Sequence, residues 1–326
     1  MWRHSGRLLL FCALLLCSSS AKVGQLPVRT QLIRVALEPT NLSKDSKPLR
    51  RTGELLYLGG WVMHADHPDF GGWSAMVAHK GGLRLMSDAG AMLDMPLPSG
   101  KAVTARIAEI PKGCGFHWIK EKQDSESLVV DPATGVSWIG LENSNTICRF
   151  RQDQDRAVSM ARPEMRDWQI TRGAEAMARL RDGRFLVFAE ADPQETGSLT
   201  PVLVFDGDPL DKSRKPVTAM LDRPKGYAPV DAAQLPDGRV LVLYRLFSVK
   251  QWFRNRLYVF DLPTRFRPKM VWTGREIARL ESPTLVDNFE GLTVTQEKRR
   301  TIIWLASDDN FWPLQRSYLL KFALED

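Results

Sequence analysis

The chain has 326 residues, 45 of them basic and 38 acidic, for a formal charge of +7, and 44% are apolar. That length suits one large domain or two small ones. The mild basic excess forms no stripe and accompanies no recognition motif, which argues against a nucleic-acid partner. No stretch after the N-terminus is long and apolar enough to predict a membrane span.

Residues 1–21 read as a signal peptide. Arg3 and Arg7 lie before an apolar run from Leu8 to Cys17, and Ser19 and Ala21 stand like positions −3 and −1 of a cleavage site. A lipid anchor on Cys17 is the rival, but Leu16 is a poor residue before such a cysteine. Residues 22–326 are then expected as a single domain, periplasmic or secreted. Of the four cysteines, Cys114 and Cys148 remain. An oxidising compartment suggests a disulfide between them, and two buried thiols are the equal alternative.

Beyond the leader, helical periodicity is nearly absent. Short apolar runs alternate with Gly, Pro and Asp-Gly turns, as in "LRDGRFLVFAE" and "LPDGRVLVLYR", which predicts an all-β chain. Four segments share one grammar: an acid, an apolar run, a turn, a second apolar run and a charged residue. They begin at Ser125, Ala174, Val230 and Phe289, and a fifth begins at Trp73 with Ser74 in place of the acid. A strand-built repeat of about 50 residues indicates β-propeller blades. The third repeat shows four strands, Ala174–Leu180, Arg184–Glu190, Pro201–Asp206 and Pro216–Leu221. The last repeat stops at a third strand, "SYLLKFALE", and "TQLIRVALEP" and "ELLYLGGWVM" near the N-terminus are placed to complete it. The expected architecture is five four-stranded blades, with six as the alternative, closed by joining the two ends of the chain.

In such a ring the innermost strands line a channel. Glu126, Glu175, Asp231 and Glu290 open these strands and should face one another. Asp88, Glu142, Glu190, Arg245 and Asp308 end the second strands and should return to the same rim. Clustered carboxylates repel and need a cation, a proton or a basic neighbour. Oxygen donors without His or Cys favour a hard ion, Ca²⁺ before Mg²⁺. Asp88, Glu126, Glu142, Glu190, Asp231 and Asp308 are the expected metal ligands. Arg245 could pair with the acids or hold a substrate anion.

With these residues in place, the sequence resembles the bacterial phytase-like proteins described as having "esterase-like activity of phytase". The resemblance rests on "YLGGWVMHADHPDFGGWSAM", "LRLMSDAG", "WIGLENSNTICRF", "AEAMARLRDGRFLVFAE", "LVLYR" and, most specifically, "NFEGL" with "WLASDDNF". It implies an exported propeller that hydrolyses phosphoesters or other esters with Ca²⁺. On this chain the implied positions are Asp88, Glu142, Glu190, Arg245, Asn288, Glu290, Asp308 and Asn310. The family commonly carries a basic residue after the first Asp, where this chain has Ala89. The expected roles are Glu290 or Glu175 as general base, Arg245 on the transferred group, and Asn288 and Asn310 as further substrate contacts.

The expected partner is a small anionic or ester substrate acting on a monomer. Two other functions stay open: a non-catalytic propeller binding a sugar, polyanion or envelope protein, and a lactonase-like ester hydrolase. His64, Asp66 and His67 read as a solvated turn, and Ser74 as a channel-lining hydroxyl. The "RFRPK" segment reads as an exposed loop. Trp252 and Trp312 are the best candidates for exposed aromatics that stack on a ligand.

Overall fold

The structure is a computed structural model describing residues 30–43, 48–114, 124–142, 144–151, 156–166, 168, 173–190, 197–248 and 252–325. The expected signal peptide and its cleavage site lie outside the described residues. Among the described residues nearly all regular structure is β, in antiparallel sheets, with a short 3₁₀ turn at Pro163–Met165. Among the described residues no helix is long and apolar enough to cross a membrane.

The repeats read from the sequence become sheet units. Their first strands are Trp73–His79, Ser125–Val130, Ala174–Arg179, Ala228–Gln234 and Phe289–Glu297. Their second strands are Gly82–Ser87, Val136–Leu141, Phe185–Ala189, Val240–Ser248 and Arg300–Ser307, each antiparallel to its first. The predicted strands of the third repeat match to within a residue or two: Ala174–Arg179, Phe185–Ala189, Leu199–Phe205 and Val217–Asp222. The two-residue strand Val271–Trp272 adds to its outer edge in parallel. The last repeat does stop at its third strand, Tyr318–Leu324, and the N-terminal strand Leu55–His64 pairs antiparallel with it. Thr30–Pro39 pairs with Leu55–His64 on one side and with Ala102–Glu109 of the first repeat on the other, so the fifth and first repeats share one sheet.

The first strands pack side by side in a cycle, Trp73–His79 against Ser125–Val130 and onward to Phe289–Glu297, which lies against Trp73–His79 again. The arrangement is propeller-like. Its apolar cores sit between successive sheets, because both faces of each sheet are covered and the strands read as near-continuous apolar runs. Leu128, Ile139 and Phe150 meet Ala75 and Met86 between the first two repeats. Trp138 meets Phe185 and Val187 between the second and third, and Phe188 meets Val242 and Tyr244 between the third and fourth. Leu243 meets Phe289 and Leu305 next, and Trp304 meets Trp73 and Leu85 where fifth and first repeats adjoin. Cys114 and Cys148 form a disulfide with Cα atoms 5.5 Å apart, inside the core between the first two repeats.

Candidate functional site, a carboxylate-lined mouth

Every first strand carries one extra residue relative to its partner. The register jumps between Trp73 and Ala75, Ser125 and Ser127, Ala174 and Ala176, Pro229 and Asp231, and Phe289 and Gly291. A bulge re-aims the side chain it carries, so the equivalent bulged residues are Ser74, Glu126, Glu175, Val230 and Glu290. The fourth repeat is therefore out of step with the sequence alignment, in which Asp231 stood beside the glutamates. Asp231 follows the bulge, at the position of Ala75, Ser127, Ala176 and Gly291. There it is buried and accepts hydrogen bonds from the amides of Leu292 (2.6 Å) and Ala232 (2.8 Å), with the Met76 amide also bonded to it. It ties together the first strands of three repeats and does not join the expected metal ligands. Replacing Asp231 by Ala is expected to destabilise the fold by roughly 3 kcal/mol, because buried amides lose their acceptor. Cation affinity in calorimetry should be unchanged.

The remaining expected acids do converge. After each second strand the chain returns beside the start of the first. The amide of Asp88 donates to Gly72 O (3.0 Å), that of Glu142 to Asp124 O (2.9 Å), that of Glu190 to Gly173 O (3.4 Å) and that of Asp308 to Asn288 O (2.9 Å). Arg245 pairs with Ala228 at the equivalent place. Three layers of side chains thus reach one mouth: Asp124 and Asn288; the bulged Glu126, Glu175 and Glu290; and Asp88, Glu142, Glu190, Arg245 and Asp308, while the bulged Val230 lies in the apolar core. Asp124 is a site residue that the sequence reading missed. Its signal was present, because Asp124 precedes Glu126 by the same step as Asn288 precedes Glu290.

Two carboxylate trios have oxygens within 4.8 Å of one another: Asp124, Glu126 and Glu142, and Glu142, Glu175 and Glu190. Glu142 belongs to both. Burial, reinforced by hydrogen bonding to Asp124 and the charges of Asp124 and Glu190, pushes the Glu142 carboxyl up to about 9. Burial and the neighbouring carboxylates also hold Glu126, Glu175 and Asp308 well above the ordinary range. Asp88 is raised by burial, against the pull of the Ala89 amide and the Ser87 hydroxyl. Glu290 is raised by burial to about 7, with Arg245 acting in the other direction.

Arg245 brings a positive charge to this mouth. Its guanidinium bonds Glu290, reaches Glu190 Oε1 at 3.5 Å and donates to Asn288 Oδ1 at 3.1 Å. Burial disfavours its charge, but Glu290, Glu190, Glu175 and Glu126 outweigh that and raise its pKa. Asn288 in turn donates to Asp308 Oδ2 (3.3 Å), so it links the arginine to the last acid. Asn310 enters through its backbone: its amide donates to Asp308 Oδ1 (2.6 Å), while its side-chain nitrogen is tied to Gln315 Oε1 (3.1 Å). That tie uses one N–H of the Asn310 side chain.

Gly72 is required where it stands. It has φ +65°, and a Cβ there would come within 2.6 Å of both Asp88 Oδ1 and Phe311 Cε2. Ser74 does not line the opening as a free hydroxyl: it is buried and donates to Ser125 O at 2.6 Å. His67 accepts from the Asp69 amide (3.2 Å) and His64 lies 3.6 Å from Glu38, so the His-Asp-His turn binds its own surroundings.

The donor set fits a divalent cation. It is made of carboxylate oxygens, and its protonation equilibria are shifted upward as buried, crowded acids require.

Comparison with solved structures gives distant likenesses. A protein of unknown function from Dyadobacter fermentans has 13% identity and a TM-score of 0.44, over 90% of this chain and 95% of that one. An α-L-arabinofuranosidase from Podospora anserina has 10% identity and a TM-score of 0.44, over 88% and 96%. Kuenenia stuttgartiensis hydrazine synthase has 13% identity and a TM-score of 0.37, over 76% of this chain, which spans 59% of that chain's length. At such scores these likenesses decide nothing about function. No curated protein sequence matches. The family of phytase-like proteins, described as "Esterase-like activity of phytase", matches residues 68–311, a span that takes in the first two strands of every repeat and the acidic residues of the mouth, and the chain belongs to that family.

Proposed function

We propose that the protein is an exported, monomeric, five-bladed propeller, closed by Leu55–His64 on Tyr318–Leu324, that hydrolyses phosphate esters of small molecules with divalent-cation assistance. The observation that carries this reading is Glu142, shared between two carboxylate trios at a mouth where Arg245 is ion-paired with Glu290 and Glu190. The five core clusters between successive sheets and the N-terminal strand on the last repeat support closure. The disulfide supports export to an oxidising compartment.

Asp124, Glu126, Glu142, Glu175 and Glu190 would hold the cation or cations, with Asp88 and Asp308 beside them. Ca²⁺ is the proposed ion, because it accepts many carboxylate oxygens in irregular geometry. When bound it supplies charge for the phosphoryl oxygens and a lowered pKa for water. Glu290, with its carboxyl near neutrality, is the proposed general base, and Glu175 its alternate. Arg245 is oriented by Glu290, Glu190 and Asn288, and offers its remaining N–H groups to a phosphoryl oxygen.

The test is turnover of a generic phosphomonoester and of phytate by purified protein, with Ca²⁺ and then with chelator. Turnover that disappears with chelator, and in Glu142→Gln, is the expected result. Absence of turnover under every condition removes the hydrolase reading. One observation favours a non-catalytic binding propeller in its place: Arg245 is already engaged by two carboxylates. That second reading predicts ligand binding without turnover in the same experiment.

A further inference from the structure

Four aromatic rings stand exposed on the strand ends and loops that follow Arg245 and Asp308. Phe247 is 52% exposed, Phe311 47%, Trp312 44% and Trp252 38%. Single exposed rings are ordinary, but a group of them together is not. Phe247 lies two residues beyond Arg245 on Val240–Ser248, hence on the same face of that strand. Ser248 pairs with Trp252, so both strands continue past Arg245. Trp252 stacks on Trp312 of the next repeat, with centroids 5.9 Å apart and planes 29° apart, and Phe247 meets the edge of Trp252 at 6.1 Å. Phe311 stands against Gly72 and next to Asp88, on the other side of the Asp308–Asp309 turn. Trp252 and Phe311 have φ of 61° and 49°. Bulky side chains rarely adopt that backbone, and here it presents rings to solvent instead of to the core.

We propose that Phe247, Trp252 and Trp312 form a platform for an aromatic ring of the ligand, and that the mouth therefore selects aryl phosphomonoesters over polyphosphorylated polyols. The inference rests on the hydrolase reading for its reaction and on the platform alone for its selectivity. The charge at the mouth points the same way. Arg245, already paired with Glu290 and Glu190, keeps few N–H groups for phosphate oxygens, which suits one phosphoryl group better than a many-fold phosphorylated ring. A single phosphoryl group with its bound cation matches that balance, and the flat remainder of the ester reaches the tryptophans.

The experiment compares the binding of phenylphosphonate, cyclohexylphosphonate and methylphosphonate to the full chain in Ca²⁺ by calorimetry. Phenylphosphonate is expected to bind about 10-fold more tightly than methylphosphonate, as base–aromatic stacking does when measured by alanine substitution. The cyclohexyl compound should fall near methylphosphonate. In Trp252→Ala/Trp312→Ala the phenyl advantage should vanish, while methylphosphonate and Ca²⁺ affinities stay at wild-type values. In turnover, kcat/KM for phenyl phosphate should fall in that variant through KM, with glycerol 2-phosphate unaffected. Equal binding of the three phosphonates to the wild type overturns the platform even if the variant does not fold, and so does a phenyl advantage that survives in the variant. Cyclohexyl binding equal to phenyl would overturn the aromatic selectivity. Phenyl-selective binding without turnover of any ester upholds the platform and removes the hydrolase reading. Turnover without phenyl preference does the reverse.

Discussion

Raising the pH from about 5 to about 9 without divalent cations is expected to lower the thermal stability of the protein, and millimolar Ca²⁺ is expected to restore it. The sign follows from the mouth. In the unfolded chain its glutamates titrate near 4.5; in the fold Glu290 is held to about 7 and Glu142 to about 9. Between those values the folded state binds more protons than the unfolded one, so stability falls as pH rises. The loss begins above about 4.5 and runs through about 7 and then about 9. Asp131, Asp182 and Asp237 have lowered pKa values and act the other way, but their contribution is lost only as pH falls below the ordinary aspartate range. Above that range the mouth dominates, with a total effect on the order of 5 kcal/mol. A cation at a thousand times its Kd contributes about 4 kcal/mol, or roughly 10 °C in Tm. Melting curves at several pH values, with Ca²⁺ and with chelator, measure both effects. A stability that rises steadily with pH in chelator would contradict the electrostatic picture.

Replacing Arg245 by Ala has the second large effect. The side chain is the cation that balances Glu290 and Glu190, and removing one partner of a buried pair destabilises by about 3–5 kcal/mol. Urea denaturation in chelator should report a loss of that size. Adding Glu290→Gln should recover part of it, with a coupling of about 2 kcal/mol in the double-mutant cycle. Ca²⁺ should bind more tightly to the Arg245→Ala protein, because a competing positive charge has gone. On the proposed function, turnover at saturating Ca²⁺ should nevertheless fall, since Arg245 is the side chain proposed to hold the phosphoryl group. Additive effects of the two substitutions would mean that the pair contributes nothing to the fold.

Much of the fold was legible because its determinants are local. Asp182–Gly183 and Asp237–Gly238 mark hairpin turns, and the apolar runs beside them are strands wherever they pack. Glu126, Glu175 and Glu290 could be aligned because the same residue type sits on the same bulge. The fourth repeat could not be aligned this way. Val230 occupies its bulge, so the nearest acid, Asp231, was drawn into a set it does not belong to; one residue of register turns a side chain from the mouth to the inter-strand amides. Asp124 was missed because the alignment began at the glutamates, although the step from Asp124 to Glu126 matches that from Asn288 to Glu290. The ties of Asn310 to Gln315 and of Trp252 to Trp312 join separate loops, and sequence spacing carries no signal for such contacts. The sharing of Thr30–Pro39 between the fifth and first repeats is a choice of edge, settled by pairing on both sides.

Calorimetric titration of the chelator-treated protein with Ca²⁺ near neutral pH, in buffers of different ionisation enthalpy, tests the acidic mouth most directly. The expected result is saturable binding with release of protons from the raised carboxyls, and an affinity at least about 10-fold weaker in Glu142→Gln, whose substitution touches both trios. No binding at millimolar Ca²⁺, or equal binding by Glu142→Gln, would contradict the assignment of these carboxylates to a cation.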